Sequence, residues 1–363
     1  MTNMGKHGIN KEMFVINSMV ANGAERVMSL LVNRAAEQGT EVMLVLITKN
    51  VVEYKIDKRV QIVFCGGEST IQRIRNLRKK MLSFRPEIVV SFLTTCNIYS
   101  CVAALGLKIP VIVSERNSPI QDCPSRLRSL VRDIAYKMAS GYIFQTEEAA
   151  NCFSDKIKKK ATVIPNPVKD GLPMADLTHS GNEFVAAGRL TKQKNYPMMI
   201  KAFAEFHKTH SDYVLRVFGE GELRDELTEM IKSYNLTPYI SLEGAVRDLH
   251  QRITFVRGFV LSSDYEGISN SLLEALAMGL PCISTDCPCG GSRHLIESGE
   301  NGLLTGVGDE AALSKAMARI ADDPEFAYKI GKNAIAVRES HSESKIVSKY
   351  FDYIFEVFSQ SRR

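Results

Sequence analysis

The sequence predicts an α/β protein built of two Rossmann-like parallel-sheet domains, and three observations lead there. Short runs of β-branched and aliphatic residues alternate with helical stretches along the chain, the pattern of repeated βαβ units. At 363 residues the chain exceeds what one hydrophobic core usually supports. A polar, turn-rich stretch over 165–182, with Pro165, Pro167, Gly171, Pro173 and Gly181, separates two halves as a hinge would. The expected division is therefore 1–170, 171–341 and a terminal segment over 342–363.

The first half opens with a strand over 13–16, a loop over 17–23, a helix from 24 to about 38 and a second strand over 42–47. The loop carries Gly23 but no G-x-G-x-x-G, so a dinucleotide fingerprint is missing. A helix over 71–84 aligns Ile71, Ile74, Leu77 and Met81 in one stripe at spacings of three and four. Arg75, Arg78 and Lys79 flank that stripe. Either they solvate a crossover helix, or they form a surface that meets anionic lipid or a lipid diphosphate. Runs over 87–93 and 110–114 read as buried parallel strands. They end in Thr94-Thr95-Cys96-Asn97 and Glu115-Arg116-Asn117, and ligands of open α/β sheets sit beyond such carboxyl ends. Strands over 142–146 and 161–164 complete the first sheet.

In the second half, strands over 184–188, 213–218, 240–242, 259–261 and 281–284 alternate with helices over 195–208, 222–235 and 271–278. The last of these helices is closed by Gly279 and stopped by Pro281. Glu266 falls in the loop that leads into it, and Glu274 lies on it. Between the two, Gly267, Ile268, Ser269, Asn270 and Ser271 present backbone N–H groups at a positive helix end, which suits a phosphate. Carboxylates on both sides of a phosphate cradle suit a nucleotide-sugar. The stretch Gly306-Val307-Gly308-Asp309-Glu310-Ala311 fits a loose G-x-G-x-x-A, but acids at a helix start repel a pyrophosphate, and Asp309 reads as an N-cap. The terminal segment places Ile346, Tyr350, Ile354, Val357 and Phe358 on one helical face.

Composition narrows the function. Hydrophobic residues at 45% and charged ones at 24% describe an ordinary globular protein, and a net charge of +5 is too small to argue for nucleic acid. It is compatible with anionic substrates or an anionic membrane surface. The polar N-terminus over 1–12 lacks the apolar core of a signal peptide, and no apolar run is long enough to span a bilayer; a cytoplasmic protein is the expectation. Eight cysteines without a C-x-x-C pair read as reduced, mostly buried side chains.

These landmarks resemble the retaining GT-B glycosyltransferases of family 4. The resemblance rests on Glu266 and Glu274 in an E-G-x-x-x-x-x-x-E pattern, on Asn22-Gly23-Ala24-Glu25-Arg26, Ser114-Glu115-Arg116-Asn117 and Pro165-Asn166-Pro167, and on Gly188-Arg189-Leu190-Thr191-Lys192-Gln193-Lys194-Asn195 and Phe218-Gly219-Glu220-Gly221. It implies two domains facing across a cleft, with the terminal helix packing back across both. Arg189 and Lys194 would stabilise the leaving diphosphate without a metal, and the chain has no D-x-D. Glu266 would face the donor sugar as nucleophile or electrostatic stabiliser. Glu274 would accept from the ribose hydroxyls. Gly219 and Val246 would lie close to the base, and Gly23, Arg116 and Asn117 would serve the other side of the site. Two positions depart from the family pattern: Asn22 replaces a glycine, and Arg116 stands where a histidine is common. His294 stands where a glutamate is common and receives no role.

The Ser-Glu-Arg-Asn form resembles bacterial enzymes that extend lipid-diphosphate-linked oligosaccharides for capsule, exopolysaccharide or glycan assembly. The partners it implies are a UDP-hexose or UDP-N-acetylhexosamine donor, an undecaprenyl-diphosphate-linked acceptor and the inner face of an anionic membrane, with no cofactor and no nucleic acid. A nucleotide-sugar epimerase or hydrolase of the same fold, or a non-catalytic sugar-nucleotide-binding protein, are the alternatives.

Overall fold

A computed structural model describes residues 8–362. The polar stretch over 1–7 lies outside them. The chain divides into two compact units, one of residues 1–167 with 344–363 and one of residues 168–343.

The first unit contains strands β1 (Lys11–Ile16), β2 (Glu41–Leu46), β3 (Gln61–Phe64), β4 (Ile88–Phe92), β5 (Val111–Ser114), β6 (Gly141–Phe144) and β7 (Ala161–Val163). They form one sheet in the order β3-β2-β1-β4-β5-β6-β7, parallel in every pairing. Helices α1 (Gly23–Glu37), α2 (Thr70–Phe84), α3 (Thr94–Ala104), α4 (Arg126–Tyr136), α5 (Glu147–Asn151) and α6 (Asp155–Lys158) connect them. Strands β1, β4 and β5 are buried almost throughout, which is why β4, β5 and residues 13–16 of β1 are near-continuous apolar runs rather than alternating ones. Helix α2 begins at a capping box between Ser69 and Gln72, one residue before its apolar stripe.

The second unit contains β8 (Glu183–Ala187), β9 (Val214–Phe218), β10 (Ile240–Gly244), β11 (Gly258–Leu261), β12 (Cys282–Thr285) and β13 (Leu303–Thr305), ordered β10-β9-β8-β11-β12-β13 and again all parallel. Its helices are α7 (Tyr196–His207), α8 (Arg224–Ser233), α9 (Leu249–Arg252), α10 (Asn270–Met278), α11 (Gly291–Leu295), α12 (Glu310–Asp322), α13 (Pro324–Ala334) and α14 (Val337–Ser340). Val168 and Leu172 join this unit's core, and the Val168 N–H donates to the His341 carbonyl at 2.7 Å. The division of the chain therefore falls ahead of the glycine at 171.

The last helix, α15 (Glu343–Ser361), buries Ile346, Tyr350, Ile354, Val357 and Phe358 in the core of the first unit. The Tyr142 N–H donates to the Tyr353 hydroxyl at 2.8 Å, and that hydroxyl donates to the Lys160 carbonyl. Gly141 leaves the room: a Cβ there would stand 2.7 Å from the Tyr353 hydroxyl. None of the eight cysteines is in a disulfide, and all but Cys152 are buried.

Candidate functional site

Within the second unit the chain runs from β8 outward through β9 to β10, then returns to β11 on the other side of β8. The loops after β8 and β11 thus leave adjacent strands in opposite directions, the topological switch point where open α/β sheets bind ligands. Arg189 and Lys194 follow β8, and Glu266 follows β11.

These two loops are stitched together by hydrogen bonds. The Asp264 N–H donates to the Gln193 carbonyl at 2.9 Å, and the Gln193 amide donates to the Tyr265 carbonyl at 3.0 Å. The Ser262 hydroxyl lies 2.8 Å from the Lys194 carbonyl. Asn195 does two jobs from a left-handed backbone (φ 43°): its side chain accepts from the Met198 N–H to start α7 and donates to Asp264 at 2.6 Å. This framework sets Lys194 Nζ 2.6 Å from Glu266 Oε2, with the two side chains only 12% and 15% exposed. The Ser263 hydroxyl donates to the same carboxylate oxygen at 3.2 Å. The negative charge of Glu266 is felt nearby. Burial first, and Glu266 second, push the Cys287 thiol up to about 12 and raise the Tyr196 phenol. Arg189, in the same loop, is exposed.

Gly267 to Ser269 lead into α10. Ser269 holds the N-cap position, yet its side chain makes no capping bond and instead lies 3.1 Å from the Ser271 hydroxyl. Glu274, one turn into α10, is held at its Oε2 by His250 Nε2, 2.9 Å away on α9. Gly219 carries φ 145°, and a Cβ there would sit 1.9 Å from the Gly188 carbonyl oxygen, so only glycine lets the ends of β8 and β9 come this close. Val246, beyond β10, is half-buried. Two contributors, His250 and Ser263, carry no motif and escaped the sequence reading. Gly291 packs against the loop after β11, because a Cβ there would strike the Gly267 carbonyl at 1.7 Å.

The candidate residues of the first unit divide differently. Gly23 opens α1 behind Asn22, whose side chain makes no cap. Arg116 is buried: its guanidinium donates to the Tyr350 hydroxyl and to Asn166 Oδ1, and it lies over the Phe92 ring at 4.9 Å. Both terminal nitrogens thus tie α15 and the Pro165-Asn166-Pro167 segment to the sheet, the structural work of a buried cation. Asn117 is half-buried and donates to Asp122 at 3.0 Å. Beside it, burial raises the carboxyls of Glu115 and Asp122. On α2, Arg75 and Lys79 are exposed, whereas Arg78 Nη1 donates to the Ala103 and Leu105 carbonyls at 2.8 and 2.7 Å and closes the end of α3.

The family model "Glycosyl transferases group 1" matches residues 176–337, and "Glycosyltransferase Family 4" matches residues 21–171. Among similar proteins is a Campylobacter jejuni alpha-1,4-N-acetyl-D-galactosaminyltransferase acting on GalNAc-alpha-(1->4)-GalNAc-alpha-(1->3)-diNAcBac-PP-undecaprenol, 26% identical over 95% of this chain and 98% of its own. A second C. jejuni enzyme, an N-acetylgalactosamine-N,N'-diacetylbacillosaminyl-diphospho-undecaprenol 4-alpha-N-acetylgalactosaminyltransferase, is 25% identical over 86% of this chain and 91% of its own. The fold matches Anabaena HepE in complex with UDP and glucose, with a TM-score of 0.82 at 16% identity over 94% of this chain and 98% of that one. It also matches Thermosynechococcus elongatus sucrose-phosphate synthase, with a TM-score of 0.85 at 15% identity over 97% and 100% of the two chains. With both halves matched by glycosyltransferase models and two parallel sheets of the corresponding fold, the chain belongs to the GT-B glycosyltransferases of family 4.

Proposed function

We propose that this glycosyltransferase moves a hexose or N-acetylhexosamine from a UDP-sugar, with retention and without a metal, to an undecaprenyl-diphosphate-linked oligosaccharide, as a step in capsule, exopolysaccharide or glycan assembly. The observation that carries the reading is the Lys194–Glu266 pair at 2.6 Å, set at the switch point beside the start of α10. Lys194 is a fixed ammonium where a diphosphate leaving group would develop charge, and Arg189 in the same loop adds a planar fork for a phosphate. The amides of residues 267–271 complete the anion cradle.

Glu266 is already partnered by Lys194 and Ser263 and so is held in one orientation. Facing the donor sugar, it would fix a hydroxyl and steady oxocarbenium charge as the glycosidic bond breaks. Glu274 would take the ribose diol. His250 occupies one lone pair of Oε2 and leaves acceptor sites on both carboxylate oxygens. The lipid-linked acceptor is supported by the two Campylobacter relatives of matching length, which act on undecaprenol-diphosphate-linked sugars; a peripheral location at an anionic membrane is part of the same proposal.

The test is a screen of labelled UDP-sugars with lipid-linked acceptors, in excess EDTA and with magnesium or manganese restored. Transfer to the lipid fraction with retained anomeric configuration, undiminished by EDTA, is the expected outcome. Release of free sugar with no acceptor product would point to a hydrolase instead. Activity that requires the added metal would remove Lys194 and Arg189 from their assigned role. In the same assay Glu266→Gln should lower turnover more than UDP affinity, and Glu274→Gln should mainly weaken UDP binding, by roughly 1.5–3 kcal/mol.

A further inference from the structure

Helix α4 is packed inside out. Its large aliphatic residues recur at 127, 130, 131 and 134, the spacing of a core-facing stripe, yet all four face solvent: Leu127 is 71% exposed, Leu130 56%, Val131 47% and Ile134 53%. The face turned to the protein carries Arg132, Ala135 and Tyr136. Arg132 donates to the Pro119 carbonyl at 2.6 Å and lies over the Phe153 ring at 4.6 Å. The Tyr136 hydroxyl accepts from Asn97 at 2.9 Å and donates to Glu115. The helix is therefore anchored by these polar contacts and by Ala135 and Tyr136 in the core, Tyr136 stacking on Phe153 at 5.8 Å, while its large aliphatic side chains point away. Ile120, 60% exposed in the preceding loop, extends the patch. Contiguous apolar surface of this kind marks an interaction site.

Charge identifies the occupant. Arg126 and Arg128 are exposed in the first turn of α4, where a cation opposes the helix dipole, so they do not serve the helix itself. Lys137, at its other end, lines a depression of about 540 Å³ together with Lys156, Lys159 and Lys160. Asp133, the acid on this helix, is engaged by Arg132 at 2.9 Å. A hydrocarbon stripe bordered at both ends by cations matches the headgroup boundary of an anionic bilayer, which accepts the aliphatic side chains below its phosphates and attracts the basic ones.

We infer that α4 is the membrane-docking element of this protein, lying in the plane of an anionic phospholipid surface with Leu127, Leu130, Val131 and Ile134 inserted. The inference deepens the proposed function, since a lipid-linked acceptor is reached from such a surface. It also moves the contact away from α2, whose Arg78 is committed to the end of α3.

The full-length protein is tested by sedimentation with vesicles of phosphatidylcholine alone and of phosphatidylcholine mixed with phosphatidylglycerol, at low and high salt. Wild type should sediment with the mixed vesicles and less so in high salt. Leu127→Ser/Ile134→Ser should weaken binding at least about tenfold, from the apolar area withheld. Arg126→Gln/Arg128→Gln/Lys137→Gln should weaken it by about a hundredfold. Because all five side chains are exposed, both variants should melt like wild type and bind UDP as well as it does. The inference is overturned if wild type stays in the supernatant, if the α4 variants sediment unchanged, or if Arg75→Gln/Lys79→Gln releases the protein while they do not. It is equally overturned if Leu127→Ser/Ile134→Ser breaks up an oligomer in the absence of lipid, since a second copy would then cover the stripe. A chain that sediments but binds no UDP would sink the transferase reading and leave this one standing.

Discussion

At the scale of single residues, His250 and Glu12 show how position changes the meaning of a side chain. His250 holds Glu274, the proposed ribose ligand, and on the proposed function would act through it as a positioning residue. His250→Ala should weaken UDP binding by about 1–2 kcal/mol while turnover at saturating donor stays near wild type. His250→Gln, which can still donate, should recover part of the affinity. Titration calorimetry with UDP beside initial-rate kinetics checks this, and a loss confined to turnover would show that His250 acts otherwise. Glu12 lies in central strand β1, paired with both β2 and β4. Burial, with Glu87 adding repulsion, pushes its carboxyl up to about 8. The folded chain thus binds this proton more tightly than the unfolded chain does. Stability from this group is intact below the unfolded value of 4.5 and falls as pH rises toward 8, on the order of a few kcal/mol in total. Glu12→Gln should flatten that slope in denaturation midpoints measured across the same window. An unchanged slope would assign the pH dependence to other groups.

At the scale of elements, the loop between β8 and α7 is the joint on which the site depends. Asn195 combines a helix cap, a left-handed backbone and a bond to the loop after β11. Asn195→Ala loses the cap and the bond and keeps a conformation that alanine resists. It should lower stability by about 1–2 kcal/mol and loosen Lys194. Hydrogen exchange should quicken at the start of α7 and around residue 264 together; faster exchange at α7 alone would mean that the two loops are not coupled. Helix α4 makes the complementary point. Spacing alone would turn its aliphatic stripe inward, but the buried side is held by Arg132 and Tyr136, and only packing reveals which face is left out.

At the scale of the whole molecule, the last helix in sequence completes the first unit. Tyr350 is buried against Phe92, with ring centroids 6.1 Å apart, and its hydroxyl accepts from Arg116. Tyr350→Ala should cost about 3–5 kcal/mol through the cavity it leaves and the buried guanidinium it strips of a partner. The loss should fall on β4 to β6 in hydrogen exchange, while β8, β11 and UDP affinity are spared. Equal loss in the second sheet would show that the two units unfold as one.

The α/β class, the two parallel sheets and the E-G-x-x-x-x-x-x-E loop were legible in the sequence because each rests on local chemistry. Buried strands need unbroken aliphatic runs, and glycines punctuate the turns that approach other backbone. Contacts between residues far apart in the chain left no such trace. Lys194 meets Glu266 across 72 positions. His250 reaches Glu274 from a one-turn helix without a motif, and Arg116 is joined to Tyr350 across 234 positions. Glu12 reads as the polar end of a terminus until two neighbouring strands bury it. The sequence by itself determined which residues prefer strand, turn or helix and which chemical groups are available. The tertiary structure decided which groups are neighbours, which face of α4 is left to solvent and which arginines are committed to structure. Such choices depend on desolvation and packing between distant segments, and no local preference encodes them.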